Sequence, residues 1–460
     1  MNSLEDTIVA ISTPVGPGGI GIVRLSGPES LSIADRIFRP AKKTGVMEAK
    51  AFSIVYGHVV DHESGAEIDE ALVSVMRAPN SYTREDIVEI NCHGGMVAVR
   101  RILGLVLEQG AKLADPGEFT KRAFLNGRIS LTQAEAVMDL ISAKTEEGMR
   151  IAVDQLRGGL SEKLGVLRNS LIEICAHAEA YIDFPEEEIK SKTLEEMAGR
   201  LGTVRDECER LSRTFEEARF FREGLSVAII GRPNVGKSSL LNALLKRERA
   251  IVTAIPGTTR DTIEEYLNIH GLPVRIVDTA GIRSSSEAVE KEGIRRSIEA
   301  LERADFVIAM LDGSEAMKDG DRDILEKIKE KNAVVVINKS DLPGMMNLDE
   351  GMLQDKKYIS ISARDGEGLE ELKSLVFQST LTDWKEDSEG IIVTNIRHKL
   401  ALDRASASLA RAIDITKTDQ PLEILAIELR DALDSIGEIT GEVTTEELLN
   451  KIFSDFCIGK

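Results

Sequence analysis

Residues 231–238 read G-R-P-N-V-G-K-S and fill every fixed position of the phosphate-binding pattern G-x-x-x-x-G-K-[ST]. That order can cradle a polyphosphate. Glycines let the backbone wrap an anion, successive N–H groups and a helix N-terminus present positive potential, Lys237 reaches the β/γ oxygens, and Ser238 can hold Mg²⁺. Asn234, Val235, Gly236, Lys237, Ser238 and Ser239 are therefore candidate nucleotide contacts. The apolar run 225–230 suits a buried strand and residues 239–245 a helix, which is the context the loop needs. A bare glycine-rich turn is the ordinary alternative, and the strand, loop and helix in order argue against it.

Two further motifs identify the metal shell and the base. Asp278-Thr279-Ala280-Gly281 follows the apolar run 274–277, so a carboxylate leaves a strand end within reach of Mg²⁺ and Gly281 can offer its N–H to a γ-phosphate. Asn338-Lys339-Ser340-Asp341 follows the run 333–337, and its Asp341 carboxylate can accept from guanine N1–H and the exocyclic amine, selecting GTP. Ser362-Ala363-Arg364, after the run 358–361, completes the set with a backbone N–H for the guanine O6. The residue after D-T-A-G is Ile282, where Ras-like enzymes carry the glutamine that orients the attacking water. Another group must then place the water. Glu287 and Glu290 in the serine-rich stretch that follows can do so, a solvated helix start being the ordinary reading of either.

The elements that must carry these motifs alternate strand and helix from about 223 to 380, as a doubly wound parallel sheet requires. Short apolar runs separated by turns predict a mixed sheet with few helices before about 118. From about 119 the period changes: Ala134, Val137, Met138 and Ile141 recur at helical spacing behind Ser130 and Gln133 in capping-box order. Amphipathic spacing returns at 397–413 and 422–436, so the tail is expected to pack on the earlier helices with the nucleotide module inserted between them. The predicted division is 1–118, 119–221, 222–380 and 381–460. In 460 residues the formal charge of −20 argues against broad wrapping of nucleic acid, a local basic patch aside. Four scattered cysteines, Cys92, Cys175, Cys208 and Cys457, indicate neither a zinc site nor a disulfide framework. No apolar run of about 18 residues and no leader pattern is present, so a soluble chain of the cytosol, with no membrane contact, is expected.

Beyond the nucleotide motifs, the chain carries G-G-I-G-I-V-R-L-S-G at 18–27, P-N-S-Y-T-R-E-D at 79–86, H-G-G at 93–95, P-G-E-F-T-K-R-A-F-L-N-G at 116–127, I-D-F-P-E-E-E at 182–188 and F-C-I-G-K at 456–460. On these it resembles the MnmE (TrmE) family of tRNA-modification GTPases, from Asp6 to the terminus. The resemblance implies a mixed α+β folate-binding-like domain, a helical bundle and an inserted Ras-like P-loop GTPase domain. It implies activation by K⁺ when two such domains meet, with oxygens from Asn234, Thr253, Ile255 and Thr258. The GTP-contacting loop would be Thr253, Ala254, Ile255, Pro256, Gly257, Thr258 and Thr259, with Thr259 and Ser238 on Mg²⁺ and Glu290 orienting water. Pro256 departs mildly from the family, stiffening that loop without removing a carbonyl.

The same resemblance implies a homodimer whose N-terminal domains bind a 5-formyl- or methylene-tetrahydrofolate through Arg24, Glu89, Arg128 and Lys460. The family often has Lys where this chain has Arg128, which keeps the charge and changes the hydrogen-bond fork. Salt bridging is the ordinary reading of Arg24 and Glu89. Cys457 is a candidate nucleophile, and a buried inert thiol is the ordinary reading of it. With Lys237 and Glu290 it makes the catalytic set. A heterotetramer with the FAD-dependent MnmG subunit, acting on C5 of a tRNA wobble uridine, is the implied assembly, since no flavin fingerprint occurs in this chain. The alternatives are a ribosome-assembly GTPase, which would be expected to carry a KH-type RNA domain, and a scaffold that holds GTP without turnover.

Overall fold

The computed structural model describes residues 5–14, 16–183, 191–248, 266–277, 301–346, 353, 356–381, 391–418 and 420–460. The N-terminal part contains β1 (Ile8–Ile11), β2 (Gly18–Ser26), α1 (Ser30–Ile37), β3 (Phe38–Pro40), β4 (Ser53–Val60), β5 (Glu67–Met76), β6 (Ile87–Gly94), α2 (Met96–Glu108) and β7 (Lys112–Leu113). The strands form one sheet in the order β3-β4-β5-β6-β2-β1-β7, antiparallel except for the β1–β7 pair. Alternation places Val23, Leu25, Val73, Val75, Val88 and Ile90 on the face covered by α1 and α2, with Ile33, Ile37, Ile102 and Leu105 opposite. The β2–β6 register sets Arg24 directly across from Glu89.

A helical stretch follows: α3 (Glu118–Leu125), α4 (Leu131–Ser142), α5 (Glu146–Leu156), α6 (Gly159–Asp183), α7 (Ser191–Arg213) and α8 (Phe215–Glu223). Helix α4 starts with the capping box read from sequence, Ser130 Oγ accepting from Gln133 N and Gln133 Oε1 from Ser130 N. The chain then builds a second sheet from β8 (Leu225–Gly231), α9 (Lys237–Glu248), β9 (Tyr266–Ile269), β10 (Leu272–Ile276), β11 (Phe306–Asp312), α10 (Asp319–Lys327), β12 (Ala333–Asn338), β13 (Lys357–Ile361) and α11 (Leu369–Thr380). Its order is β13-β12-β11-β8-β10-β9, parallel but for the β9–β10 hairpin. The central strands β8 and β11 are apolar on both faces, as strands covered by helices on two sides must be.

Helices α12 (Ile396–Ile415), α13 (Leu422–Thr440) and α14 (Glu446–Ser454) end the chain. Leu402, Leu409, Leu429 and Ile436 of this last part share one core with Leu164, Leu171, Leu201 and Leu211 of α6 and α7. The second sheet is thus an excursion out of a bundle to which the chain returns. The return is fastened by a buried polar cluster: Glu135 on α4 accepts from Asn395 Nδ2 at 3.0 Å and Arg397 Nη2 at 2.8 Å, and lies 2.7 Å from His398 Nε2.

Burial raises the Glu135 pKa, but the charges and hydrogen bonds of His398 and Arg397 outweigh it and leave the carboxyl at about 2. A group depressed in the folded state contributes stability that is complete above its unfolded pKa and is lost as pH falls through the folded value. Glu135→Gln is expected to lower stability at pH 7 by about 3–5 kcal/mol, because the largely buried Arg397 guanidinium keeps its place without its counter-charge. The gap from wild type should narrow as pH falls from 5 toward 2 in a thermal-melting series. Parallel curves across that range would show that the carboxylate charge is not what fastens the seam.

Candidate functional site

The phosphate loop leaves the C-terminal end of β8 and enters α9 at Lys237, so the helix N-terminus faces the loop's hollow. Asn234 takes φ +63° and Gly236 φ +105°. A Cβ on Gly236 would lie 2.1 Å from Asn338 Nδ2, so side-chain bulk is excluded there. Lys237 Nζ donates to the Gly231 and Arg232 carbonyl oxygens, both at 2.8 Å, and burial lowers its pKa. The ammonium is therefore held inside the hollow where anionic oxygens would meet it. Asn234, Ser238 and Ser239 are exposed along the mouth, and Val235 is buried beneath it.

Asn338 ends β12 buried, and both ends of its amide bond protein. Its Nδ2 donates to Val235 O at 2.8 Å and its Oδ1 accepts from Ala363 N at 3.0 Å. One side chain thus ties the phosphate loop to the loop after β13. Asp341 stands at the surface, and its Oδ1 accepts from the buried Ser362 Oγ at 2.9 Å, so the carboxylate is oriented beside Ala363 and the exposed Arg364. Lys339, at φ +70°, pairs with Asp312 Oδ2 at 2.5 Å. Burial raises the Asp312 pKa, and Lys339 together with Ser314 outweighs it, leaving the net shift downward. Asp312 was missed in the sequence because it ends β11 without a motif. Arg232 was missed too; it pairs with the fully buried Asp321 at 2.7 Å, tying the phosphate loop to α10. Thr253, Ala254, Ile255, Pro256, Gly257, Thr258, Thr259, Asp278, Thr279, Ala280, Gly281 and Glu290 lie outside the described residues.

A second site opens against the N-terminal sheet. A cavity of about 610 Å³ is lined by Arg24, Glu89, Arg128 and Lys460, together with Tyr82, Gln133 and the apolar Met76, Ile87, Ile129, Val137 and Leu156. All four residues named from the family resemblance border it. Arg24 Nε donates to Glu89 Oε1 at 2.8 Å, and Arg24 Nη1 to Gly459 O at 3.2 Å. The last residues are stitched in place: Ser12 Oγ also donates to Gly459 O, and Gly117 N to Cys457 O. A Cβ on Gly459, at φ +94°, would lie 2.5 Å from Ile11 O, so only glycine lets the tail run this close to β1. Burial first, then Arg24, pulls the Lys460 pKa down, while Cys457 and Glu89 push it back in part. Cys457 is half-buried and does not border the cavity. Charged and polar side chains together with an apolar wall suit a flat ligand with polar extremities.

A phosphate loop heading a parallel sheet, with a base-reading loop two strands away, defines a P-loop GTPase, here carried on a helical bundle behind an antiparallel sheet domain. Residues 7–128 match the GTP-binding protein TrmE N-terminus and residues 131–457 the MnmE helical domain. Proteins described as tRNA modification GTPase MnmE from Alkaliphilus oremlandii and Carboxydothermus hydrogenoformans are each 47% identical to this chain, covering 99% of it and 100% of their own length. The counterpart from Geobacter metallireducens is also 47% identical, with the same coverage. The chain belongs to the MnmE family of tRNA modification GTPases.

Proposed function

We propose that this protein is a potassium-activated GTPase that modifies C5 of the wobble uridine of certain tRNAs. It would work in the cytosol as a homodimer joined to the FAD-dependent MnmG subunit, the pair adding an aminomethyl or carboxymethylaminomethyl group with a tetrahydrofolate derivative as one-carbon donor. The observation that carries this reading is the second cavity, where Arg24, Glu89, Arg128 and Lys460 meet, Arg24 being bonded there to Gly459, 435 residues on. Glu89 suits donors on a pterin ring, and the three cationic groups suit carboxylates. Bound folate would supply the one-carbon unit, and these residues would hold and orient it.

At the nucleotide site Lys237 would meet the phosphates and Ser238 would hold Mg²⁺, with Thr259 as a second ligand. Asn234, exposed in the loop, would lend its side-chain oxygen to K⁺, with further oxygens from Thr253, Ile255 and Thr258. Glu290 would orient the water in place of the absent glutamine. The homodimer is supported by an uncovered apolar stripe on β4 and β5, where Ile54 is 65% exposed and Tyr56 lies beside Leu72, with Phe52 just before β4 72% exposed. The boundaries 1–118, 119–221, 222–380 and 381–460 fit this division of labour.

In cells lacking the protein, wobble-uridine modification should disappear and return with the wild-type gene but not with Asp278→Ala. Unchanged modification in the deletion strain would overturn the function. For the cation, GTP turnover should be several-fold or more faster in K⁺ than in Na⁺, and Asn234→Ala should erase that ratio. An Asn234→Ala protein that still prefers K⁺ would remove Asn234 from the site.

A further inference from the structure

The motif P-N-S-Y-T-R-E-D at 79–86 forms the connection from β5 to β6, and most of its polar side chains hold the fold. Ser81 Oγ donates to Glu85 O, Thr83 Oγ1 meets Ser26 Oγ at 2.6 Å, and Arg84 Nη1 donates to Asn126 O at 3.0 Å. Glu85 accepts from Ser26 Oγ at 2.6 Å and pairs with the buried Arg122 at 3.2 Å, while Asp86 Oδ1 accepts from Ala78 N. The loop is bound in turn to the bend after α3, because Asn126 Nδ2 donates to Thr83 O at 2.7 Å.

Tyr82 is used differently. Its ring packs partly on the cluster of Ile8, Ala10, Ala114 and Phe119, and its hydroxyl meets Thr120 Oγ1 at 2.9 Å. The rest of the ring borders the cavity, and the Arg128 guanidinium carbon lies 4.8 Å from its centroid. Arg128 is exposed, and among the described residues no carboxylate pairs with it. A long side chain of that kind samples many rotamers unless something restrains it.

Resting on the one-carbon-donor reading of the cavity, we infer that Tyr82 is a positioning residue whose ring holds the Arg128 guanidinium at the cavity rim, leaving its edge N–H groups free for a carboxylate of the ligand. The ring is itself anchored by the hydroxyl bond and the apolar cluster, so it is a rigid platform. A guanidinium lies on such a face and keeps its donors available, whereas an ammonium offers a compact charge with no plane to stack. This gives the tyrosine of the motif a task that its fold-holding neighbours do not share.

The test is calorimetric titration of the full-length protein with 5-formyltetrahydrofolate, with thermal melting of every variant. Tyr82→Phe keeps the ring and should bind within about twofold of wild type. Tyr82→Leu and Arg128→Lys should each weaken binding by about fivefold, on the scale of one cation–π contact. In an Arg128→Met background, Tyr82→Leu should cause no further loss. Equal losses from Tyr82→Leu in both backgrounds would mean that the ring only shapes the cavity, and would overturn the positioning role. So would full affinity in Tyr82→Leu or in Arg128→Lys, the latter a surface change that leaves the core untouched. Absence of binding by the wild-type protein is a separate result, which overturns the folate reading of the cavity itself.

Discussion

Gly236→Ala is expected to reduce GTP affinity by more than about 100-fold, or roughly 2.7 kcal/mol. Two independent costs meet at this residue. Its φ of +105° belongs to a region that side chains avoid, at about 1–3 kcal/mol. The added methyl carbon would also stand 2.1 Å from Asn338 Nδ2, well inside contact distance. Asn338 cannot step aside without breaking its bonds to Val235 O and Ala363 N, and both of those close buried polar groups. Either the phosphate loop opens or the loop behind the base moves, and each outcome damages the nucleotide site. Titration with a fluorescent GTP analogue reads the loss, and circular dichroism confirms that the sheet persists. Gly344→Ala is the matched control: a Cβ there meets nothing within 4 Å, so its affinity should equal wild type. A Gly236→Ala protein binding GTP within threefold of wild type would mean that the loop does not hold this conformation when loaded.

What could be read from the sequence follows from the range of each signal. The phosphate loop, the Ser130–Gln133 cap and the strands leading into each motif are local patterns, and they stand where spacing placed them, with β8 and α9 extending a residue or more beyond the apolar runs. Asn338 was read through its neighbour Asp341 as part of a base motif, yet its own amide braces two loops, a role set by residues 103 and 25 positions away. Glu135 gave no sign of its partners because Arg397 lies 262 residues on, across the whole excursion of the second sheet. Lone charged residues on a helix read as solvated, and only the return of the chain makes this one buried. Arg24, Glu89, Arg128 and Lys460 were named from family resemblance alone. No periodicity relates them, since their meeting depends on the β2–β6 register and on a tail that Gly459 lets lie against Ile11.

Asp341→Asn is expected to weaken GTP binding by about 10²–10⁴-fold while creating affinity for xanthosine triphosphate. Guanine presents two donors, N1–H and the exocyclic amine, and a carboxylate accepts both with charge-assisted bonds of about 1.5–3 kcal/mol each. An asparagine amide accepts one and turns its own NH₂ toward the other, setting donor against donor. Xanthine carries a carbonyl in place of the amine, so the same NH₂ finds an acceptor and the pairing is restored. Sites built on buried hydrogen bonds discriminate most strongly in this way, because the wrong base leaves a polar group without a partner. Geometry favours a clean exchange: Ser362 Oγ, fully buried, donates to Asp341 Oδ1 at 2.9 Å and would donate equally to an amide oxygen there. That leaves the nitrogen facing the base. Recovery of tight binding with the xanthine nucleotide would also show that the variant is folded, so loss of GTP affinity could not be ascribed to a damaged sheet. Turnover of the xanthine nucleotide by the variant should still favour K⁺ over Na⁺, since Asp341 would read the base while the phosphate loop would hold the cation. Unchanged GTP affinity in this variant would mean that the base is recognised elsewhere and would detach Asp341 from specificity.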